Sequence, residues 1–194
     1  MRLTYPAMAG LEIQPLTHSL KELILHLGGV LLFALLMALG AFVRIPLPWT
    51  PVPVTLQTFF VLLSGAVLAG VGGGTAQLVY LTIGLSGLPV FAGAVGGLGV
   101  LRGATAGYIV AFHLAAGVIG MMVKERGTSL ARVVAAMIIG NLLILTLGTL
   151  HLALFLDYNL GRAFTLGFLP FLPGDAAKLI AAASCTCWLR RLRS

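Results

Sequence analysis

The chain has 194 residues, 59% of them hydrophobic and only 9% charged, with a mean hydropathy of +1.07. A soluble domain carries about 25% charged residues, so this chain cannot cover its surface with polar groups and lipid is its natural solvent. The net charge of +7 does not mark a nucleic-acid binder, because the basic residues punctuate apolar segments instead of forming a stripe interleaved with aromatics.

A membrane-spanning helix needs about 20 apolar residues. The first candidate is 23–43. It starts late, is too long for the apolar region of a signal peptide and lacks a clear A-x-A exit, so a cleavable signal is not expected. The run IPLPWTPVPVT follows, with prolines at 46, 48, 51 and 53. Four prolines forbid a regular helix, so this piece reads as an extended loop at the membrane surface, where Trp49 can anchor. A second span is predicted at 56–71, a turn at the three glycines 72–74, and a third span at 75–88. The stretch 87–107 then holds seven glycines in 21 residues. Each costs about 1 kcal/mol relative to Ala inside a helix, which predicts irregular backbone. At membrane depth such backbone must be buried or line a cavity, and a glycine-rich wall lets a ligand approach closely. Further spans are predicted at 108–123, 133–155 and 171–188, separated by the polar loop 124–132 and a loop holding Asp157, Asn159 and Arg162.

These elements predict an all-α integral membrane protein with six transmembrane helices. Residues 1–22 form a cytoplasmic N-terminal segment, 23–189 the membrane domain and 190–194 a basic cytoplasmic tail. With the N-terminus inside, eight Lys and Arg fall on the inner side: 2, 21, 124, 126, 132, 190, 191 and 193. Three, at 44, 102 and 162, fall outside. Basic residues collect on the cytoplasmic side, so both termini are expected there (N-in, C-in).

Within FLPGDAAKLIAAA, Asp175 and Lys178 interrupt an apolar run. Spaced i and i+3, they share a helix face about 4.5 Å apart along the axis. One reading is a self-neutralising ion pair with Asp175 favoured by the helix dipole. The other is ligand recognition, since intramembrane charges cost roughly 3 kcal/mol each and mark function by default. Gln57, directly after the proline loop, offers a donor and an acceptor, for a helix-end bond or a ligand. Gln77, His113, Asn141 and His151 read as interhelical hydrogen bonds. Ala34 and Ala38 form an A-x-x-x-A pair that lets helices approach closely, which serves an internal seam or a partner. Cys185 and Cys187, two apart on a helix, do not face each other and read as packing residues. Neither a nucleophile motif nor a zinc motif occurs, and the ATP-binding G-x-x-x-x-G-K-[ST] is missing. Active transport would therefore need energy from a partner or an ion gradient.

Three blocks, PVPVTLQTFFVLLSGAVLAG, GLPVFAGAVGGLGVLRGATAGY and FLPGDAAKLIAA, run in order from about Pro51 to Ala183. Together they resemble BioY, the biotin-binding S component of energy-coupling factor (ECF) transporters. The resemblance implies an S-component-like helical bundle in the prokaryotic inner membrane, with a biotin pocket opening outward and capped by the loop between the first two spans. It implies that Asp175 and Lys178 contact the vitamin, with Gln57, Phe91, Gly96 and Gly97 completing the substrate-binding set. It implies docking of a transmembrane ECF coupling subunit on Ala34 and Ala38, and two ABC-type ATPases as the energy source. No cofactor or metal is implied, and membrane lipid is the surrounding partner. The chain departs from the family pattern at Val95 and Ile109, where relatives often carry polar residues, and Arg102 is the candidate substitute. An intramembrane enzyme using Asp175 with His113 or His151, and a proton-coupled carrier, are the competing readings.

Overall fold

The computed structural model describes residues 16–123, 128–157 and 159–192. Most of the expected N-terminal segment, the start of the polar loop and the end of the basic tail lie outside them. In lipid the backbone must satisfy its own hydrogen bonds, which helices do segment by segment. Among the described residues seven α-helices form: α1 (Leu16–Phe42), α2 (Gln57–Leu68), α3 (Gly72–Leu85), α4 (Ala106–Met122), α5 (Leu130–Phe155), α6 (Leu160–Gly167) and α7 (Leu172–Arg191). By length and composition, α1 from Leu20, α5 and the stretch Leu160–Arg191 can each cross a membrane, and α2 and α4 are shorter apolar helices. The protein is a multi-pass helical membrane protein.

Two expectations are corrected. The three glycines 72–74 are not a turn but the first turn of α3, and the chain reverses at 69–71. Close approach explains this: a Cβ on Gly73 would lie 2.6 Å from the Gly65 Cα, and one on Gly74 would lie 3.0 Å from the His113 carbonyl oxygen. The helices touch backbone to backbone, and that packing overrides the poor helix propensity of glycine. The loop after α5 also contains α6, whose start is capped by Asn159 Oδ1 accepting from the Arg162 amide at 2.9 Å. At eight residues α6 is about 12 Å long and does not add a crossing.

The proline-rich run forms no helix, as expected; it turns at 48–49, and its ends pair as a two-residue ladder. Strand β1 (Arg44–Ile45) runs antiparallel to β2 (Val54–Thr55). The paired residues lie just outside the four prolines, which cannot donate to a ladder. The glycine-rich stretch is irregular, with an isolated bridge between Phe91 and Val95 and a 3-10 turn at Leu98–Arg102.

The helices pack around two apolar clusters. One, near the ends of the helices that carry the two loops, includes Tyr80, Tyr108, Phe112, Ile144 and Phe171. The other, toward the opposite end, includes Phe33, Leu62, Ile119, Met137 and Ala182. Ala34 belongs to the first cluster at 5% exposure, and Ala38 is half-buried against it. Ala34 therefore packs inside the protein, whereas Ala38 keeps part of its surface open.

Candidate functional site

The N-terminal ends of α2, α4 and α7 converge at one end of the bundle. Between them lies a cavity with about 50 Å³ of free space. Helices supply most of its wall. The proline-rich hairpin contributes Val52, Pro53 and Thr55, and the glycine-rich loop contributes Ala92. The lining is mostly apolar, with Ile109, Phe112, Ile144, Leu145 and Phe171 as its greasy face. Small-ligand sites have this make-up, an apolar body with a few placed polar groups.

The polar corner is built by α7 and α2. Pro173 and Gly174 open α7, so Asp175 falls in its first turn, where the positive end of the helix dipole favours a carboxylate. Asp175 is 2% exposed. Lys178 Nζ donates to Asp175 Oδ1 at 3.0 Å and to Thr58 Oγ1 at 2.9 Å. The Thr58 hydroxyl donates to the same Asp175 Oδ1 at 3.3 Å. The other carboxylate oxygen, Oδ2, is buried without a hydrogen-bond partner. Both readings of the sequence therefore meet here: the charges pair with each other, and the pair lines a cavity with one strong acceptor left over.

Gln57 also lines the cavity, yet most of its amide is committed. Nε2 donates to the Tyr80 hydroxyl at 2.7 Å, Oε1 accepts from Thr55 at 3.2 Å, and the Tyr80 hydroxyl donates to the Val90 carbonyl at 3.1 Å. This relay ties the end of the hairpin to the start of the glycine-rich loop. Phe91, Gly96 and Gly97 do not line the cavity. Phe91 is buried edge-on to Tyr80, 5.4 Å between ring centres, and packs on Gly84. A Cβ on Gly96 would strike the Leu88 carbonyl, and Gly97 holds φ +87° while donating to the Gly84 carbonyl at 2.8 Å. These three shape the loop that presents Ala92.

Ile109 is part of the apolar wall, whereas Val95 is half exposed and Arg102 is exposed away from the cavity. Arg102 does not replace a polar contact there. His151 Nε2 sits 3.1 Å from the Gly103 carbonyl, and His113 Nδ1 is buried without a partner. Neither lines the cavity. Gln77 makes the expected interhelical bond, to Ser64 at 2.9 Å, while Asn141 Oδ1 is buried without one.

Thr58, Tyr108 and Phe171 were not singled out by sequence. Tyr108 stands in the G-Y of the second block and Phe171 in the opening of the third, so both lie within the stretches that carry the resemblance. Tyr108 donates its hydroxyl to the Gly167 carbonyl at 2.7 Å, fixing the α6–α7 connection to the cavity wall.

Fold and cavity define a multi-pass membrane protein that can hold a small ligand among its helices. The chain belongs to the BioY family, whose profile matches residues 14–194. It is 40% identical over 161 residues to the biotin transporter BioY of Thermotoga maritima, covering 83% of this chain and 93% of that one. It is 39% identical over 153 residues to a probable biotin transporter BioY of Pyrococcus horikoshii, covering 79% and 88%. In fold it matches the crystal structure of the S-component for biotin from an ECF-type ABC transporter, with a TM-score of 0.81 at 24% identity, over 89% of this chain and 93% of that one.

Proposed function

We propose that this chain is the biotin-binding and uptake subunit of an ECF-type vitamin transporter. The observation that carries the reading is the polar corner: Asp175, with one buried oxygen left unpartnered, and the ammonium paired with it line a mostly apolar cavity. Biotin's ureido ring offers two N–H donors and one carbonyl acceptor, and its bicycle and chain are apolar. Asp175 Oδ2 accepts from an N–H, Lys178 donates to an oxygen, and Ile109, Phe112 and Phe171 take the apolar body. Gln57, Phe91, Gly96 and Gly97 support this site through the hairpin and the glycine-rich loop.

The chain lacks a P-loop, so its energy comes from elsewhere, and the likeness to the S-component of an ECF-type ABC transporter supports a coupling subunit and ABC-type ATPases as the source. Its place is the prokaryotic inner membrane, with residues 1–22 and 190–194 on the cytoplasmic side, residues 23–189 as the membrane domain and the cavity facing outward. The hairpin and the glycine-rich loop cap the cavity and retreat to admit the vitamin, because the free space of about 50 Å³ holds only a few waters. An enzyme reading has no support, since neither His113 nor His151 joins Asp175 in the cavity.

Calorimetric titration of the detergent-purified protein with biotin tests the proposal. Saturable binding at micromolar biotin or below is expected. No heat, together with no displacement of labelled biotin, would overturn it.

A further inference from the structure

We propose that Thr58 is a specificity-determining positioning residue: its hydroxyl keeps the Asp175–Lys178 pair open toward the ligand. The inference rests on the biotin reading above and deepens it. Thr58 is the second residue of α2, and its partners lie on the first two turns of α7. A hydroxyl has one proton and two lone pairs. Here the proton goes to Asp175 Oδ1 and a lone pair receives a Lys178 N–H. Lys178 spends a second N–H on that same Oδ1.

The ring of three groups has a definite polarity. Both of its hydrogen bonds to the carboxylate fall on Oδ1, and Oδ2 is left buried and unpartnered. Two of the three ammonium protons are held by protein, and one is left. The corner therefore leaves one acceptor and one ammonium proton without protein partners, side by side. Without the hydroxyl, nothing holds Lys178 toward α2. The ammonium would then swing onto both carboxylate oxygens and close the pair on itself. A closed pair hides the acceptor and the donor together. The open pair matches a ligand edge that presents an N–H next to a carbonyl oxygen. It repels an edge that carries a positive charge in place of that oxygen.

The test uses the purified full chain and two probes, biotin and 2-iminobiotin. In the second probe a nitrogen replaces the ureido oxygen and is protonated at neutral pH. Affinities are measured for wild type, Thr58→Val, which keeps the shape and loses the hydroxyl, Thr58→Ala and Thr58→Ser. Thermal melts in the same detergent report folding. Wild type should prefer biotin. Thr58→Val and Thr58→Ala should lose about ten- to a hundredfold in biotin affinity, the scale of hydrogen bonds to charged groups, and the preference over 2-iminobiotin should narrow. Thr58→Ser should restore both. A merely structural role would weaken both probes equally. An unchanged preference in the hydroxyl-free variants, or a Thr58→Ser that behaves like Thr58→Val, would overturn the proposal while leaving the biotin reading intact. Wild type that binds neither probe would remove the biotin reading and this inference with it.

Discussion

Asp175 and Lys178 differ in what each leaves behind when its partner is removed. Asp175 is 2% exposed, whereas the Lys178 side chain is 13% exposed on a long, flexible stem. Replacing Lys178 by Met strands a buried carboxylate, and breaking a buried pair in this way costs about 3–5 kcal/mol. Asp175→Asn strands the ammonium, which can bend toward water, so less stability is lost. Lys178→Met is therefore expected to melt at a lower temperature in detergent than Asp175→Asn. Binding has a different order of causes. In Asp175→Asn the cavity loses its charged acceptor, and an amide N–H can take the place of Oδ2. A ligand N–H would then meet another donor. Biotin affinity should fall about ten- to a hundredfold even though the fold survives. Wild-type affinity in Asp175→Asn would remove Asp175 from the site, and equal melting temperatures would refute the asymmetry.

At the scale of elements, backbone contact between helices decides which glycines matter. A Cβ on Gly73 would lie 2.6 Å from the Gly65 Cα and 2.8 Å from its nitrogen, neither of which can rotate away. Gly73→Ala should destabilise by about 1–3 kcal/mol through overpacking. Gly117, inside α4, has nothing within 4 Å of its would-be Cβ, so Gly117→Ala should stabilise by about 1 kcal/mol. Opposite shifts in melting temperature check the pair, and equal shifts would refute it. The same contrast explains what sequence could tell. The long helices α1 and α5 were legible because each is a continuous apolar run near spanning length, and α7 because its run is interrupted only by Asp175 and Lys178 before the basic end. The glycine-rich loop was legible because propensity and packing agree there. Glycines 72–74 were misread because propensity favours a turn, and the neighbour that favours a helix, Gly65, is not adjacent in sequence. Helix α6 is too short and too polar for an apolar run to reveal. In the site, Asp175 and Lys178 stood out as charges in a greasy segment. Thr58 did not, since an ordinary hydroxyl gains its role only from a carboxylate 117 residues away.

The whole molecule has two unlike ends, and their charges argue for its orientation. The hairpin, the glycine-rich loop, α6 and the cavity share one end, where Arg44, Arg102 and Arg162 are the basic residues outside the helical spans. The other end carries Arg132 and the close of α7, where Arg190 Nη1 donates to the Thr128 carbonyl at 2.8 Å and ties α7 to the start of α5. Of the chain's basic residues, eight belong to this second end by sequence, against three at the cavity end. Lys and Arg gather on the cytoplasmic side, and that bias supports the proposed orientation with the cavity facing outward. Single cysteines test this directly, in a background with Cys185 and Cys187 replaced by Ala. Arg44→Cys and Arg162→Cys should react with a membrane-impermeant maleimide on intact spheroplasts, since both positions are exposed. Arg132→Cys and Arg191→Cys should react only after the membrane is opened. The reverse pattern would point the cavity into the cytoplasm. The cavity would then have no route to external biotin without a reorientation of the whole bundle before binding, and the proposed outward-facing site would fall.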